Sequence, residues 1–220
     1  MPISHYQAVL FDLDGTLLDT APDFSTALNK LLVSRSRAAL PDARIRALVS
    51  AGAAALLVDA FECAADSPEF AQLRVEFLQL YHQHLSQQTR PYPSLIGVLT
   101  RLGAQGIPWG IVTNKPLLYT SAILRDLALT PAPAVVICPE HVVNAKPHPE
   151  PIMLACEQLG VAPTATIYIG DHRRDIESGI SAGATTIAAA YGYIGTDDDP
   201  ANWGAHYLIH RPQQLASLLF

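Results

Sequence analysis

The sequence has 220 residues, of which 50% are hydrophobic, and a formal net charge of −6. A chain of this length and composition can bury a full core, so we expect an ordinary globular protein of one or two domains. Its Lys and Arg residues are scattered apart from the pair Arg173-Arg174, so the sequence offers no basic stripe that could follow a phosphate backbone. We therefore expect no nucleic acid partner.

The cysteines and the hydropathy pattern also argue against several classes of protein. Cys63, Cys138 and Cys156 are odd in number and widely spaced, which predicts neither a disulfide framework nor a zinc site. No basic and apolar leader follows Met1, and no stretch approaches the ~18 apolar residues of a membrane span. We expect a cytoplasmic protein with no membrane partner.

The first strand-like run, Ala8–Phe11, is followed by about ninety residues without another one. Four segments in this interval carry apolar residues at helical spacing: Pro22–Arg35, Asp42–Ser50, Ala53–Phe61 and Pro68–Gln88. They predict an inserted helical domain over residues 19–90, with residues 1–18 and 91–220 forming the core. Arg90–Pro93 is a stiff linker suited to a hinge. The alternative is that these helices cover the main domain.

After residue 108, apolar runs alternate with helical patterns. The predicted strands are Trp109–Thr113, Ala134–Cys138, Thr166–Gly170 and Thr185–Ala189, and the predicted helices are Lys115–Leu129, Glu150–Leu159 and Arg173–Ala182. None of the strands alternates polar with apolar residues, which is typical of buried parallel strands. The alternation predicts an α/β fold with a doubly wound parallel sheet.

Two carboxylates follow the first strand. Asp12 and Asp14 point the same way along an extended chain, and Gly15 then lets the backbone turn. Because two close carboxylates repel, they share either a cation or a proton. The alternative is that Asp-Leu-Asp-Gly is only a turn.

Polar residues also follow the next two strands. Thr113 and Asn114 stand at a predicted helix N-terminus, which favours anion binding, although either residue could simply cap the helix. Lys146 lies in a proline-rich segment that stiffens the backbone around it, and the alternative is a solvated loop lysine. Ligands of open α/β sheets bind at the strand ends, so these side chains are candidate site residues.

The fourth strand ends in Gly170-Asp171, with Asp175 one helical turn further on and on the same side. Carboxylate oxygen suits Mg²⁺, so Asp171 is a candidate metal ligand. The alternative is a helix N-cap. Candidate site residues follow each of four predicted strands, and chance alone would rarely place all four groups at one edge of a sheet.

Taken together, these motifs resemble those of the haloacid dehalogenase-like phosphatases. The matching residues are Asp12-Leu13-Asp14-Gly15-Thr16, Thr113, Lys146-Pro147 and Gly170-Asp171 with Asp175. The resemblance covers essentially the whole chain. It implies a Rossmann-like core with the strand order 5-4-1-2-3 and an inserted α-helical cap.

The resemblance also implies a mechanism. Asp12 would attack phosphorus and become an aspartyl-phosphate, and Asp14 would serve as general acid and base. Mg²⁺ would be held by Asp12, the Asp14 backbone carbonyl and Asp171, with Asp175 in support. The substrate phosphate would contact Thr113, Asn114 and Lys146. His172 departs from the small hydroxyl residue common at its position, and we interpret it as a bystander.

The flanking stretches resemble a narrower branch, that of the phosphoglycolate phosphatase-like proteins and in particular the N-acetylmuramic acid 6-phosphate phosphatases. These stretches are Trp109–Pro116, Ile137–Val142 with Lys146–Pro151, and Tyr191–Ile194 followed by Asn202–Ala205. The resemblance implies a small phosphorylated metabolite as partner, with N-acetylmuramic acid 6-phosphate expected in peptidoglycan recycling and 2-phosphoglycolate as the alternative. A β-phosphoglucomutase-like phosphotransferase and a non-catalytic phosphate-binding protein remain further alternatives.

The cap should select the substrate because it closes over the site. Its candidate substrate loop contains Gly52 and Ala53, which are small enough to leave room for a bulky group, although they could equally pack the cap helices. We expect a monomer or a weak homodimer.

Overall fold

A computed structural model describes residues 3, 5–196 and 198–220 of the chain. Within these residues the strands are β1 (Ala8–Phe11), β2 (Leu18–Asp19), β3 (Arg90–Pro91), β4 (Trp109–Val112), β5 (Val135–Ile137), β6 (Thr166–Gly170), β7 (Thr185–Ala189) and β8 (Tyr207–Ile209). The α-helices are α1 (Ala21–Ser34), α2 (Asp42–Val49), α3 (Ala53–Phe61), α4 (Pro68–His84), α5 (Leu95–Ala104), α6 (Leu117–Leu127), α7 (Glu150–Leu159), α8 (Arg173–Ala182) and α9 (Gln214–Leu219).

The main sheet has six strands in the order β5-β4-β1-β6-β7-β8, and every neighbouring pair is parallel. Strand β1 lies in the middle and is completely buried, as its uninterrupted apolar sequence predicts. The predicted α/β fold and its strand order are confirmed, with β8 added at the edge next to β7. The central position of β1 places its C-terminal end between those of β4 and β6.

Strand β8 and helices α5 and α9 of the core are not among the elements predicted from the sequence. Strand β8 has three residues, two of them only half-buried, so it lacks the apolar run that marks the other strands. Helix α9 has six residues. Helix α5 does carry a readable signal, because Leu95, Val98, Leu99 and Leu102 are buried at helical spacing.

Two predicted helix boundaries are wrong. The helix expected from Lys115 begins at Leu117, because Pro116 has an extended backbone and serves as the N-cap. The helix expected to reach Gln88 ends at His84, where Leu85 turns to an extended conformation. The later start of α6 leaves Lys115 in the loop that lines the cavity.

Helices α1–α4, which we term the cap helices, pack around their own hydrophobic cluster. Its buried members include Phe24, Leu28, Phe77 and Tyr81. The expectation that the interval after β1 contains no strand is wrong: β2 and β3 pair antiparallel, with Leu18 opposite Pro91 and Asp19 opposite Arg90. The chain therefore enters and leaves the cap helices through a two-stranded ribbon that includes the start of the predicted linker.

The described residues contain no helix of the length and hydropathy needed to cross a lipid bilayer. The three cysteines are unpaired, as expected; Cys138 and Cys156 are buried and Cys63 is partly exposed.

Candidate active site

The strand-end residues predicted from the sequence meet at one edge of the sheet. Asp12 follows β1, Thr113 follows β4 and Asp171 follows β6, while Lys146 comes from the loop between β5 and α7. They lie at or beneath a cavity of about 330 Å³ between the sheet and the cap helices. The cavity is lined by Asp12, Asp14, Phe24, Val49, Ser50, Ala51, Gly52, Ala53, Ala54, Arg74, Leu78, Tyr81, Thr113, Asn114, Lys115, Pro116, Tyr119, Lys146 and Arg174.

Lys146 holds the carboxylates of this edge together. Its Nζ donates to Asp12 Oδ1 at 2.9 Å and to Asp175 Oδ1 at 2.6 Å, and also contacts Tyr168 Oη at 2.9 Å. Burial disfavours the charged ammonium, but the carboxylates of Asp12 and Asp175 outweigh that effect and raise the pKa of Lys146. Lys146 is therefore a buried cation fixed beside Asp12, not a solvated loop lysine.

Asn114 fixes the backbone of Lys146. Its Nδ2 donates to the Lys146 carbonyl at 3.0 Å, and its Oδ1 accepts from the Lys146 amide at 3.1 Å. Neighbouring Thr113 is buried, and its Oγ1 accepts from the Lys115 amide at 3.1 Å. Both residues line the cavity, but the Asn114 amide group is already used to position Lys146.

Asp12, Asp171 and Asp175 form a buried carboxylate cluster, with one oxygen of each within 4.8 Å of the others. Burial, together with the charges of Asp12 and Asp175, raises the pKa of Asp171 to about 8. Such a concentration of hard oxygen ligands suits a divalent cation, which would offset the repulsion between the carboxylates. The residues present therefore fit the divalent metal that the sequence predicts.

Within this cluster, Asp175 accepts hydrogen bonds on both of its carboxylate oxygens. Its Oδ1 accepts from Lys146, and its Oδ2 accepts from the His172 amide at 3.0 Å. The His172 ring caps α8, because its Nδ1 accepts from the Arg174 amide at 3.2 Å. Burial and the charge of Arg174 lower the pKa of His172 to about 4, so the ring stays neutral and able to accept this bond.

Two glycines allow the backbone to approach Asp171 closely. Gly15 has a φ of +79°, and a Cβ placed on it would lie 2.1 Å from Asp171 Oδ2. A Cβ on Gly192 would lie 2.2 Å from Asp171 Cβ. Any side chain at either position would displace Asp171, so space requires glycine at both positions, and at Gly15 the positive φ favours glycine as well.

Asp14 lies at the cavity and contacts Lys115, a pairing that the sequence does not predict. Lys115 Nζ donates to Asp14 Oδ1 at 3.0 Å and to Oδ2 at 3.2 Å, and Thr20 Oγ1 donates to Oδ1 at 2.6 Å. The Lys115 side chain is 4% exposed and also donates to Tyr81 Oη of α4 at 2.7 Å. The available signal was its position two residues after Thr113 at a strand end.

The loop between α2 and α3 reaches the carboxylate cluster. Ser50 Oγ donates to Asp171 Oδ2 at 3.0 Å, and the Arg174 guanidinium donates to the Ser50 carbonyl. The predicted loop residues Gly52 and Ala53 follow and line the cavity, with Gly52 at a φ of +89°. This loop therefore covers the carboxylates, and the contacts of Ser50 and Arg174 were not predicted.

Tyr193 ties the core to the start of the cap helices. Its hydroxyl accepts from the amides of Thr20 at 2.6 Å and Ala21 at 2.8 Å, and donates to Asp19 Oδ1 at 2.9 Å. Asp19 in turn pairs with Arg46 of α2. The first turn of α1 is thus fixed by a side chain that follows β7.

Comparison with known proteins agrees with this arrangement. The family model for haloacid dehalogenase-like hydrolases matches residues 9–189. The chain belongs to this family. It is 44% identical to N-acetylmuramic acid 6-phosphate phosphatase from Pseudomonas aeruginosa, over 97% of this chain and 94% of the relative. It is 41% identical to phosphoglycolate phosphatase from Xanthomonas campestris pv. campestris, over 95% of this chain and 94% of the relative.

The expectation of a haloacid dehalogenase-like phosphatase is therefore confirmed. The fold has its own support from a solved structure, described as a predicted phosphoglycolate phosphatase from Haemophilus somnus. That structure superposes with a TM-score of 0.86 at 24% identity, over 99% of this chain and 100% of that one. At this identity, the likeness concerns the fold alone.

Proposed function

We propose that this haloacid dehalogenase-like phosphatase is a Mg²⁺-dependent phosphomonoesterase that hydrolyses N-acetylmuramic acid 6-phosphate through an aspartyl-phosphate at Asp12. The observation that carries the proposal is the placement of the Asp12 carboxylate at the cavity, 2.9 Å from the buried Lys146 ammonium and within the carboxylate cluster. A carboxylate held in this way can act as a nucleophile toward a phosphate bound in the cavity.

In the first step, an oxygen of Asp12 forms a bond to phosphorus while the bond from phosphorus to the sugar oxygen breaks. Asp14 gives its proton to the departing oxygen, and in the second step it takes a proton from the water that attacks the aspartyl-phosphate. Lys146 and the polar groups at Thr113 stabilise the charge on the phosphoryl oxygens. Inorganic phosphate and free Asp12 are the products of this second step.

The proposed magnesium ligands are Asp12, Asp171 and the backbone carbonyl of Asp14. Asp175 supports the site by accepting a hydrogen bond from Lys146. A bound Mg²⁺ supplies positive charge that orients the phosphate and neutralises part of its charge. The cluster fits this role because its three carboxylates are buried and close together, and Lys146 alone cannot neutralise all of them.

We assign the choice of substrate to the cap helices, within a proposed cap domain of residues 19–90 over a core of residues 1–18 and 91–220. They contribute much of the cavity lining, including small side chains at Ala51, Ala53 and Ala54. A cavity of about 330 Å³ can accommodate a sugar phosphate, whereas 2-phosphoglycolate would leave much of it empty. The name of the relative at 44% identity supports the same choice.

The alternative substrate is 2-phosphoglycolate, which is favoured by the name of the relative at 41% identity. The two proposals share every catalytic residue and differ only in the group that fills the cavity. A β-phosphoglucomutase-like reaction would move the phosphate within a sugar instead of releasing it.

The decisive experiment is a comparison of kcat/KM for phosphate release from N-acetylmuramic acid 6-phosphate and from 2-phosphoglycolate, with Mg²⁺ and with a chelator. We expect the sugar phosphate to be preferred and the chelator to abolish turnover. A preference for 2-phosphoglycolate would reverse the substrate assignment, and the absence of phosphate release from either would contradict the phosphatase proposal.

Asp12→Asn provides the matched test of the nucleophile. The substitution keeps the size of the side chain but removes the attacking carboxylate, so turnover should fall below detection while the thermal unfolding transition remains cooperative. Near-normal activity in this variant would rule out the aspartyl-phosphate.

A further inference from the structure

Two arginines line the cavity in addition to the residues discussed above. Arg74 belongs to α4 of the cap helices and is exposed, whereas Arg174 belongs to the first turn of α8 in the core and is half-buried. The two arginines therefore line the cavity from different parts of the chain, Arg74 from the cap helices and Arg174 from the core.

These arginines differ from the lysines at the cavity because neither of them has a carboxylate partner in the part of the chain that the structure describes. The two lysines that line it already have carboxylate partners, Asp12 for Lys146 and Asp14 for Lys115. Among residues 3, 5–196 and 198–220, neither Arg74 nor Arg174 forms an ion pair with a carboxylate. Arg174 donates to the Ser50 carbonyl, which is a neutral acceptor. Guanidinium groups that lack a carboxylate partner at a cavity point to an anionic ligand.

The substrate phosphate does not account for both arginines. Under the proposed function, the phosphate already binds to Lys146, Thr113 and a divalent cation. Much of the remaining lining is apolar or small, with Val49, Ala53 and Leu78 as examples. A guanidinium binds a carboxylate well because its parallel N–H donors match the two carboxylate oxygens.

We propose that Arg74 and Arg174 form a subsite for a carboxylate that the substrate carries in addition to its phosphate. This inference rests on the proposed function and deepens it: it names the residues that distinguish a phosphomonoester of a carboxylic acid from its neutral analogue. A carboxylate held between the two arginines links the cap helices to the core, so it selects the substrate and favours the closed arrangement at the same time.

Matched substrate pairs test the subsite directly. N-acetylmuramic acid 6-phosphate carries a lactyl carboxylate that N-acetylglucosamine 6-phosphate lacks, and 2-phosphoglycolate carries one that 2-hydroxyethyl phosphate lacks. In the unmodified protein, kcat/KM should be higher for the acidic member of the pair that fits the cavity. The two pairs also distinguish the two candidate substrates. Replacing Arg74 should strongly lower kcat/KM for only one of the two acidic substrates, the one that fits the cavity.

Arg74→Gln is the main variant, because Arg74 is exposed on a helix and glutamine preserves the helix. We expect it to lower kcat/KM for the acidic sugar phosphate about tenfold or more beyond its effect on the neutral sugar phosphate, the size expected for a lost charged hydrogen bond. Arg174→Gln should show the same selectivity. Arg125→Gln removes an exposed arginine of α6 outside the cavity and should change neither rate.

Equal losses on both members of each pair, or no loss on either, would overturn the subsite while leaving the phosphatase proposal intact. To separate the two further, Arg74→Gln is combined with Asp12→Asn, and binding of the two sugar phosphates is measured by calorimetry without turnover. Asp12→Asn alone should bind the acidic sugar about tenfold or more tightly than the double variant does. Equal affinities in the two proteins, or no binding of the acidic sugar by either, would overturn the subsite whatever the activity measurements show.

Discussion

Lys115 Nζ lies 3.0 Å from Asp14 Oδ1 and 2.7 Å from the hydroxyl of Tyr81, so one buried cation joins the proposed acid and base to the cap helices. The ammonium also lies 4.8 Å from the ring centroid of Phe24, a second aromatic residue of these helices. The orientation of Asp14 therefore depends on how the cap helices pack on the core.

We predict that Lys115→Met lowers kcat/KM by about ten- to a hundredfold, because Asp14 loses its charged partner and its fixed orientation. Steady-state kinetics with N-acetylmuramic acid 6-phosphate measures the loss. Tyr81→Phe is the control, since it keeps the pair between Lys115 and Asp14 but removes the link to α4, and it should cause a smaller loss. Activity of Lys115→Met close to that of the unmodified protein would contradict the role of Lys115.

Asp14→Asn should cause a loss that depends on the leaving group. With a sugar phosphate the departing oxygen needs a proton, so kcat should fall by about a hundredfold or more. With p-nitrophenyl phosphate the leaving group needs little protonation, and the loss should be clearly smaller. Asp126→Asn, which changes an exposed carboxylate of α6, should affect neither rate. An equal loss of Asp14→Asn activity on both substrates would argue against Asp14 as the acid.

The parts of this site that the sequence predicts are those that depend on local order along the chain. Continuous apolar runs identify β1 and β6, and the parallel sheet then brings Asp12 and Asp171 to one edge. The pairing of Lys115 with Asp14 could not be predicted in the same way. It depends on the position of Tyr81 on α4, and no sequence periodicity specifies how that helix packs over the edge of the sheet.

The same limit applies to the contacts of the loop between α2 and α3. Ser50 donates to Asp171 because the loop folds back onto the core, and nothing in the residues around Ser50 indicates that partner. The short elements β8 and α9 escape prediction for a different reason, since three to six residues carry too little periodicity to exceed the background of a hydrophobic chain.

Magnesium should stabilise the protein more at pH 8 than at pH 5. Burial and the neighbouring carboxylates raise the pKa of Asp171 to about 8, so without a metal the native state favours the protonated acid. The stability associated with that proton is complete below the ordinary carboxyl pKa near 4 and is lost as the pH rises through about 8. Mg²⁺ takes the place of the proton among the carboxylates, so the stability that Mg²⁺ adds grows over the same pH interval.

Thermal unfolding with and without Mg²⁺ at the two pH values measures this difference, and we expect the gain in Tm to be larger at pH 8 by a few degrees. In Asp171→Asn the gain should be small and independent of pH. A gain in the unmodified protein that is the same at both pH values would contradict the assignment of Asp171 as a metal ligand.

Tyr193→Phe should destabilise the protein by about 1 to 3 kcal/mol, because it leaves the buried amides of Thr20 and Ala21 at the start of α1 without their acceptor. For a chain of this size the expected fall in Tm is about 2 to 4 °C for each kcal/mol, measured by thermal unfolding. Tyr207→Phe is the matched control: among the described residues the Tyr207 hydroxyl has no hydrogen-bond partner, so its Tm should hardly change. Because the lost bonds fix the entry of the chain into the cap helices, kcat should fall together with Tm in Tyr193→Phe. If both tyrosine variants unfold at the same temperature as the unmodified protein, Tyr193 does not anchor the cap helices.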